Sequence, residues 1–117
     1  ACVFIATHEP CSLCLSAITW SGFDNFYYLF SYQDTKNAFN IPHDLKILTE
    51  VFDCDNGSYR RSNAFWTCYA IEDLVNDLPD GDPKTDLLAR IKALAQVYAD
   101  MSQVYQDSKA DNAIPLS

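Results

Sequence analysis

Short apolar runs alternate with polar breaks along the first third of the chain. Cys2-Val3-Phe4-Ile5-Ala6-Thr7 is apolar, carries β-branched residues and is stopped by the Glu9-Pro10 step, which predicts a buried strand. Pro10 suits the first turn of a helix, where its missing N–H removes no hydrogen bond. Leu13, Ala17, Ile18 and Trp20 then fit a helix from Cys11 to Trp20 that ends before Ser21-Gly22. Asn25 to Ser31, NFYYLFS, predicts a second buried strand. Strand, helix and strand in so short a stretch make a βαβ unit with parallel strands and a right-handed crossover, so this third is α/β.

Ser31 to Asn37 reads as a polar connection. Ile41, Leu45, Leu48 and Phe52 lie at helical spacing with Pro42 near the start, predicting a helix from Ile41 to Phe52. Asp53 to Ser58 is a turn by composition. Phe65 to Ile71 carries strand-like aromatics, yet Ile71, Leu74, Val75 and Leu78 form a helical stripe, so the segment changes type partway. Leu78-Pro79-Asp80-Gly81-Asp82-Pro83 is a linker in which Asp82 reads as a helix cap. Beyond it Leu87, Ile91, Leu94, Tyr98, Met101 and Tyr105 alternate spacings of four and three, the strongest helix pattern in the sequence. That stripe suits packing on the domain's own sheet better than self-association. The resulting map is an α/β domain over 1–78, a linker over 79–83, an amphipathic helix over 84–109 on the domain or a partner subunit, and a tail over 110–117, frayed from Asp111.

Composition narrows the picture. A chain of 117 residues, 49% hydrophobic with 3 Gly and 5 Pro, supports one compact domain. No apolar run reaches the roughly 18 residues of a membrane span, and Ala1 to Ala6 lacks the basic flank of a signal peptide, so the expected location is cytoplasmic and no membrane partner is expected. Eight basic against 16 acidic residues leave a net charge of -8, which disfavours a nucleic-acid partner and suits a small, weakly charged substrate. The basic pair Arg60-Arg61 is a poor patch. Five cysteines, an odd count, argue for reduced thiols that can bind metal over a disulfide framework.

Cys11 and Cys14 are the candidate metal ligands. Three positions apart at a helix start, their sulfurs share a face, and the partial positive charge of the helix N-terminus favours thiolates. Spacing alone also admits a redox dithiol, a structural zinc site of four cysteines or simple burial. Cys54 and Cys68 are too far apart to supply a second close pair for the structural site.

The flanks go further. A strand, then Thr7-x-Glu9-Pro10-Cys11-x-x-Cys14, then Ala17-Ile18-x-Trp20 and an aromatic strand ending near Tyr32 resemble the cytidine deaminase-like superfamily over roughly Cys2 to Asp34. Within it, the likeness is to the branch of guanine deaminases and tRNA adenosine deaminases. The resemblance implies an incomplete three-layer αβα sheet with added C-terminal helices and a zinc-dependent hydrolytic deamination. The substrate would be a nucleobase or nucleoside, a purine such as guanine or adenosine ahead of cytosine. By the same likeness Cys11 and Cys14 hold Zn2+, with a histidine as third ligand, an activated water attacking the amine-bearing ring carbon and a glutamate as proton shuttle. In the family that His-x-Glu lies a few tens of residues before Pro-Cys-x-x-Cys, so both roles are expected upstream of Ala1 and no catalytic residue within this chain. A homodimer is a further implication. The alternative is a non-catalytic zinc-binding or interaction module without the His-x-Glu half.

The other candidates take quieter roles. His8 reads as a loop or pocket-rim residue, Glu9 as a structural carboxylate bonded to nearby backbone N–H groups, and His43 as a surface residue. Cys2, Cys54 and Cys68 read as packing residues, as do Asn25, Phe65, Trp66 and Tyr69, in preference to stacking on a base.

Overall fold

The computed structural model describes residues 2–111. The tail expected from Asp111 onward falls, past Asp111 itself, outside them. The protein is a mixed α/β structure around a parallel sheet of three strands in the order β1-β2-β3. The expected βαβ unit comprises β1 (Ile5–His8), α1 (Ser12–Trp20) and β2 (Asn25–Phe30), with Ile5 level with Tyr27 and His8 with Phe30. Between β2 and β3 (Thr67–Ala70) run α2 (Tyr32–Asn37), α3 (His43–Phe52) and a 3-10 turn, Asp55–Gly57. Then follow α4 (Ile71–Asn76) and α5 (Asp82–Ser108). No described helix is long and apolar enough to cross a membrane.

Strand order decides which face of the sheet is covered. Right-handed crossovers between strands added in one direction lie on the same face. Burial follows that rule: Phe26, Tyr28 and Phe30 are buried, whereas Asn25, Tyr27 and Leu29 between them are half-buried and Ile5 and Tyr69 on that second face are exposed. The covered face holds the core of Ile18, Phe26, Tyr28, Trp66 and Cys68. Trp66 meets Phe26 edge-on at 4.8 Å and donates its indole N–H to Thr19 Oγ1 at 2.9 Å.

Several sequence expectations need correction. Leu13 and Trp20 do not join the core; Trp20 is 90% exposed. At about 100° per residue they share one face of α1 and the core-facing Leu15 and Ile18 share the opposite one. The segment read as a polar connection contains α2, started by a capping box in which Ser31 Oγ accepts from Asp34 N at 3.2 Å and Asp34 Oδ2 accepts from Ser31 N at 3.0 Å. α3 begins at His43, with Pro42 as its N-cap, and its Phe52 points outward. Asp82 is not a cap: Gly81 precedes the helix and Asp82 sits in its first turn. Cys2 is exposed, not packed, while Cys68 is buried. The switch from strand to helix expected after Phe65 occurs at Ala70-Ile71.

α5 does pack on the domain, but on a stripe rotated from the expected one. Leu88, Ile91 and Ala95 line a cleft with Phe30, Ala38 and Phe39, and Tyr98 packs edge-on against Phe30 at 5.7 Å. Ser102 donates to Phe39 O, Gln106 Nε2 to Asn40 O at 2.9 Å and Lys84 Nζ to Asn76 O at 3.0 Å, so the helix is tied along its length. Leu87 and Met101 are exposed.

Candidate metal centre

The turn after β1 joins two sites of opposite character. Glu9 N donates to Phe30 O at 2.7 Å, extending the ladder one residue past the strand, and the chain then enters α1 with Cys11 at the N-cap in extended backbone. No side chain caps the helix, so its first N–H groups point at the space around Cys11 and Cys14. Cys11 is half-buried and Cys14 exposed, three positions on, and the two thiols are near enough to influence each other's ionisation.

The expected thiolate preference does not hold for Cys14 in the metal-free pair. Burial pushes its thiol above the usual range, and the neighbouring Cys11 thiol and the carboxylate of Asp44 push the same way. A bound cation reverses that balance, because its charge outweighs both neighbours.

Asp44, in the first turn of α3, was not singled out by sequence. It is half-buried and its carboxyl is raised by desolvation, which the charges of His43 and His8 partly counter. His8 is held below its ordinary value by burial, against the pull of Asp44. The His8 ring packs against Tyr98 at 4.7 Å, Phe30 at 5.3 Å and Phe39 at 5.6 Å, and its Nδ1 lies 3.0 Å from Thr7 Oγ1. It lines a cavity of about 250 Å³ with Phe39, Ile41, Tyr98, Met101, Ser102 and Tyr105. A cleft of about 300 Å³ between Cys2 and Ser21–Asp24 lies at the far end of α1 from the cysteine pair.

No group of three or more His, Cys, Asp or Glu side chains among the described residues is arranged to hold a metal ion. The donor set is therefore two thiols, a fit to the cysteine half of a zinc sphere and not to a whole one.

Glu9, two residues before Cys11, is buried at 3% exposure. Its Oε1 accepts from Tyr32 N at 3.0 Å, and its Oε2 accepts from Tyr59 Oη and from Arg61 Nη1. Arg61 Nη1 also donates to Tyr28 Oη at 3.0 Å and Tyr59 Oη at 2.8 Å, and Nη2 to Gly57 O at 3.3 Å. Its guanidinium stacks over the Tyr59 ring at 4.2 Å. Tyr32 Oη donates to Pro10 O, which fixes the carbonyl just ahead of Cys11. Burial raises Tyr28 to about 12 and Tyr32 and Tyr59 higher still, while the carboxylate of Glu9 lifts Arg61 further above its usual range despite desolvation. Arg61 is thus spent internally, in keeping with its poor promise as a surface patch.

Among the remaining candidates, Asn25 Oδ1 accepts from Phe4 N at 3.1 Å and its Nδ2 donates to Cys2 O at 2.9 Å, stapling the segment ahead of β1. Tyr69 stacks on Tyr27 at 4.9 Å on the open sheet face, and Phe65 is exposed. Comparisons with protein-family models, with curated proteins and with solved structures return no match to this chain.

Proposed function

We propose that this chain carries the thiolate half of a zinc-dependent hydrolytic deaminase acting on a nucleobase or nucleoside. The observation that carries the proposal is the placement of Cys11 and Cys14, both free thiols, at the N-cap and in the first turn of the helix that leaves the carboxyl end of β1. That is where open parallel sheets bind ligands. Cys11 and Cys14 would hold the metal, and a His-x-Glu encoded ahead of Ala1 would add the third ligand and the proton carrier, within a three-layer cytidine deaminase-like sheet. Zinc, when bound, supplies Lewis acidity for hydrolysis at an amine-bearing ring carbon.

The chain's own residues position and exclude. Glu9 and Tyr32 pin the backbone around Pro10, which leads directly into Cys11. His8, Phe39 and Tyr98 wall an aromatic groove of about 250 Å³ that neither cysteine lines. The surrounding acidic balance favours a neutral substrate, in the cytoplasm.

Metal analysis and ammonia release on the intact protein test the reading. About one zinc per chain, lost in Cys11→Ala and Cys14→Ala, together with deamination of guanine or adenosine, is the expected result. Zinc bound without turnover of any base or nucleoside would favour the non-catalytic module instead, and reversible thiol oxidation without zinc would discard both.

A further inference from the structure

Asn56-Gly57 is the one Asn-Gly step in the sequence. Both residues take left-handed backbone, with φ of 56° and 68°, and Ser58 N donates to Asp55 O at 3.1 Å, the pattern of a type I′ turn that this dipeptide favours. Asn56 is exposed, whereas Gly57 is buried beside the Tyr32 ring. An asparagine followed by glycine is open to attack from its own main chain, because the next residue has no Cβ to shield its nitrogen.

We infer that Asn56 is a site of spontaneous deamidation, gated by the two hydrogen bonds that hold the Asn56-Gly57 peptide. The step balances with water alone. Gly57 N gives up its proton to base and attacks Asn56 Cγ; the Cγ–Nδ2 bond breaks, the leaving nitrogen takes a proton and departs as ammonia, and a five-membered succinimide remains. Water then opens the ring at one carbonyl or the other, to aspartate or to isoaspartate. In isoaspartate the main chain runs through the side-chain carbons and is one carbon longer.

Two features of the fold set the rate. Attack requires the Gly57 nitrogen to eclipse the Cα–Cβ bond of Asn56, which its ψ of 26° does not allow, so the peptide must first rotate. That peptide is tied at both ends: Gly57 N donates to Cys54 O at 3.1 Å, and Asn56 O accepts from Gln33 Nε2 at 3.1 Å. Asn56 also lines a cavity of about 260 Å³ with Lys36 and Lys46, neither of them ion-paired among the described residues. Their ammonium charge favours the oxyanion that forms at Cγ and the carboxylate that remains, against partial opposition from Glu50 on the same rim. The product also reaches beyond the turn. Gly57 O accepts from Arg61 Nη2 at 3.3 Å and Gly57 abuts Tyr32, so a longer main chain here displaces two partners of Glu9.

Peptide mapping by mass of the full chain, aged in mildly alkaline buffer, tests this independently of zinc. Conversion is expected at Asn56 ahead of every other asparagine, with isoaspartate in excess of aspartate, and faster as pH rises because the attacking nitrogen must lose its proton. Gln33→Ala, at an exposed position, should speed it by roughly fivefold, the worth of one exposed hydrogen bond, and unfolding in urea should speed it further. The converted fraction, separated from the amide form by ion exchange, should unfold at lower urea concentration. An Asn56 that stays an amide in the folded chain while the unfolded chain converts, or that trails another asparagine, overturns the site. A rate indifferent to Gln33→Ala overturns the gate, and equal unfolding of converted and fresh protein overturns the link to Glu9.

Discussion

Glu9 and Cys11 are two residues apart in one turn, and the fold treats them in opposite ways. Glu9 is buried with a backbone N–H, a phenol and a guanidinium on its oxygens, whereas the thiols of half-buried Cys11 and exposed Cys14 are free. A carboxylate taken out of water must be fully paired or it destabilises the fold. A metal ligand must keep lone pairs free. The rigid half of the turn thus holds the backbone on which the reactive half stands, and the two should respond to substitution in contrary ways.

The largest contrast should come from Glu9→Ala. It leaves the Tyr32 N–H, the Tyr59 hydroxyl and the Arg61 guanidinium unpaired around a small void, and denaturant unfolding should register a loss of about 3–5 kcal/mol. A loss below about 1 kcal/mol would mean that water replaces the carboxylate freely and that the node is not the anchor of the turn.

Gly57→Ala strikes the same node from its far wall. A Cβ there would lie 2.6 Å from Tyr32 Cδ2, at a backbone φ of +68° that side chains resist. Displacing Tyr32 loosens its bond to Pro10 O, so a loss of about 1–3 kcal/mol is expected. Zinc affinity of the intact protein should fall with it, since Pro10 leads directly into Cys11.

Much of this was legible beforehand, for reasons specific to each element. The βαβ unit could be read because β1 and β2 are continuous apolar runs, but β1 is not the buried strand its run predicts: Ile5 and Thr7 are exposed and Ala6 and His8 half-buried, since helices cover one face of the sheet and β1 lies at its edge. α2 could not be read from hydrophobicity, because Tyr32 and Thr35 are its only buried residues and its start depends on a side-chain cap. The cysteine pair was visible as spacing. Asp44 and Arg61 act on the turn from α3 and from the loop before β3, and no local pattern announces a partner some thirty or fifty positions away. The α5 stripe was misplaced because two stripes share the helix and a 3.5-residue period fits either of them.

Alkali should separate the two halves without any substitution. Tyr28 is raised from 10 to about 12 by burial first and by Glu9 second. The unfolded chain releases that proton near pH 10 while the folded chain keeps it, so stability is intact below pH 10 and declines as pH rises toward 12. Tyr32 and Tyr59 are raised in the same direction and steepen the decline. Tyrosinate absorbance from Tyr28, Tyr32 and Tyr59 should therefore appear together with loss of the fold.

The smallest effect on stability belongs to the residues that matter most for chemistry. Cys14 is exposed and supports no core contact, so Cys14→Ser in the metal-free protein should shift unfolding by no more than about 0.5 kcal/mol. With zinc present, the intact wild-type protein should gain stability over the variant by an amount that grows with metal concentration, since a ligand that binds only the folded state stabilises it by mass action. Equal melting of wild type and Cys14→Ser at every zinc concentration would detach the thiol pair from metal altogether. A large loss in the metal-free state would instead make Cys14 a structural residue like Glu9.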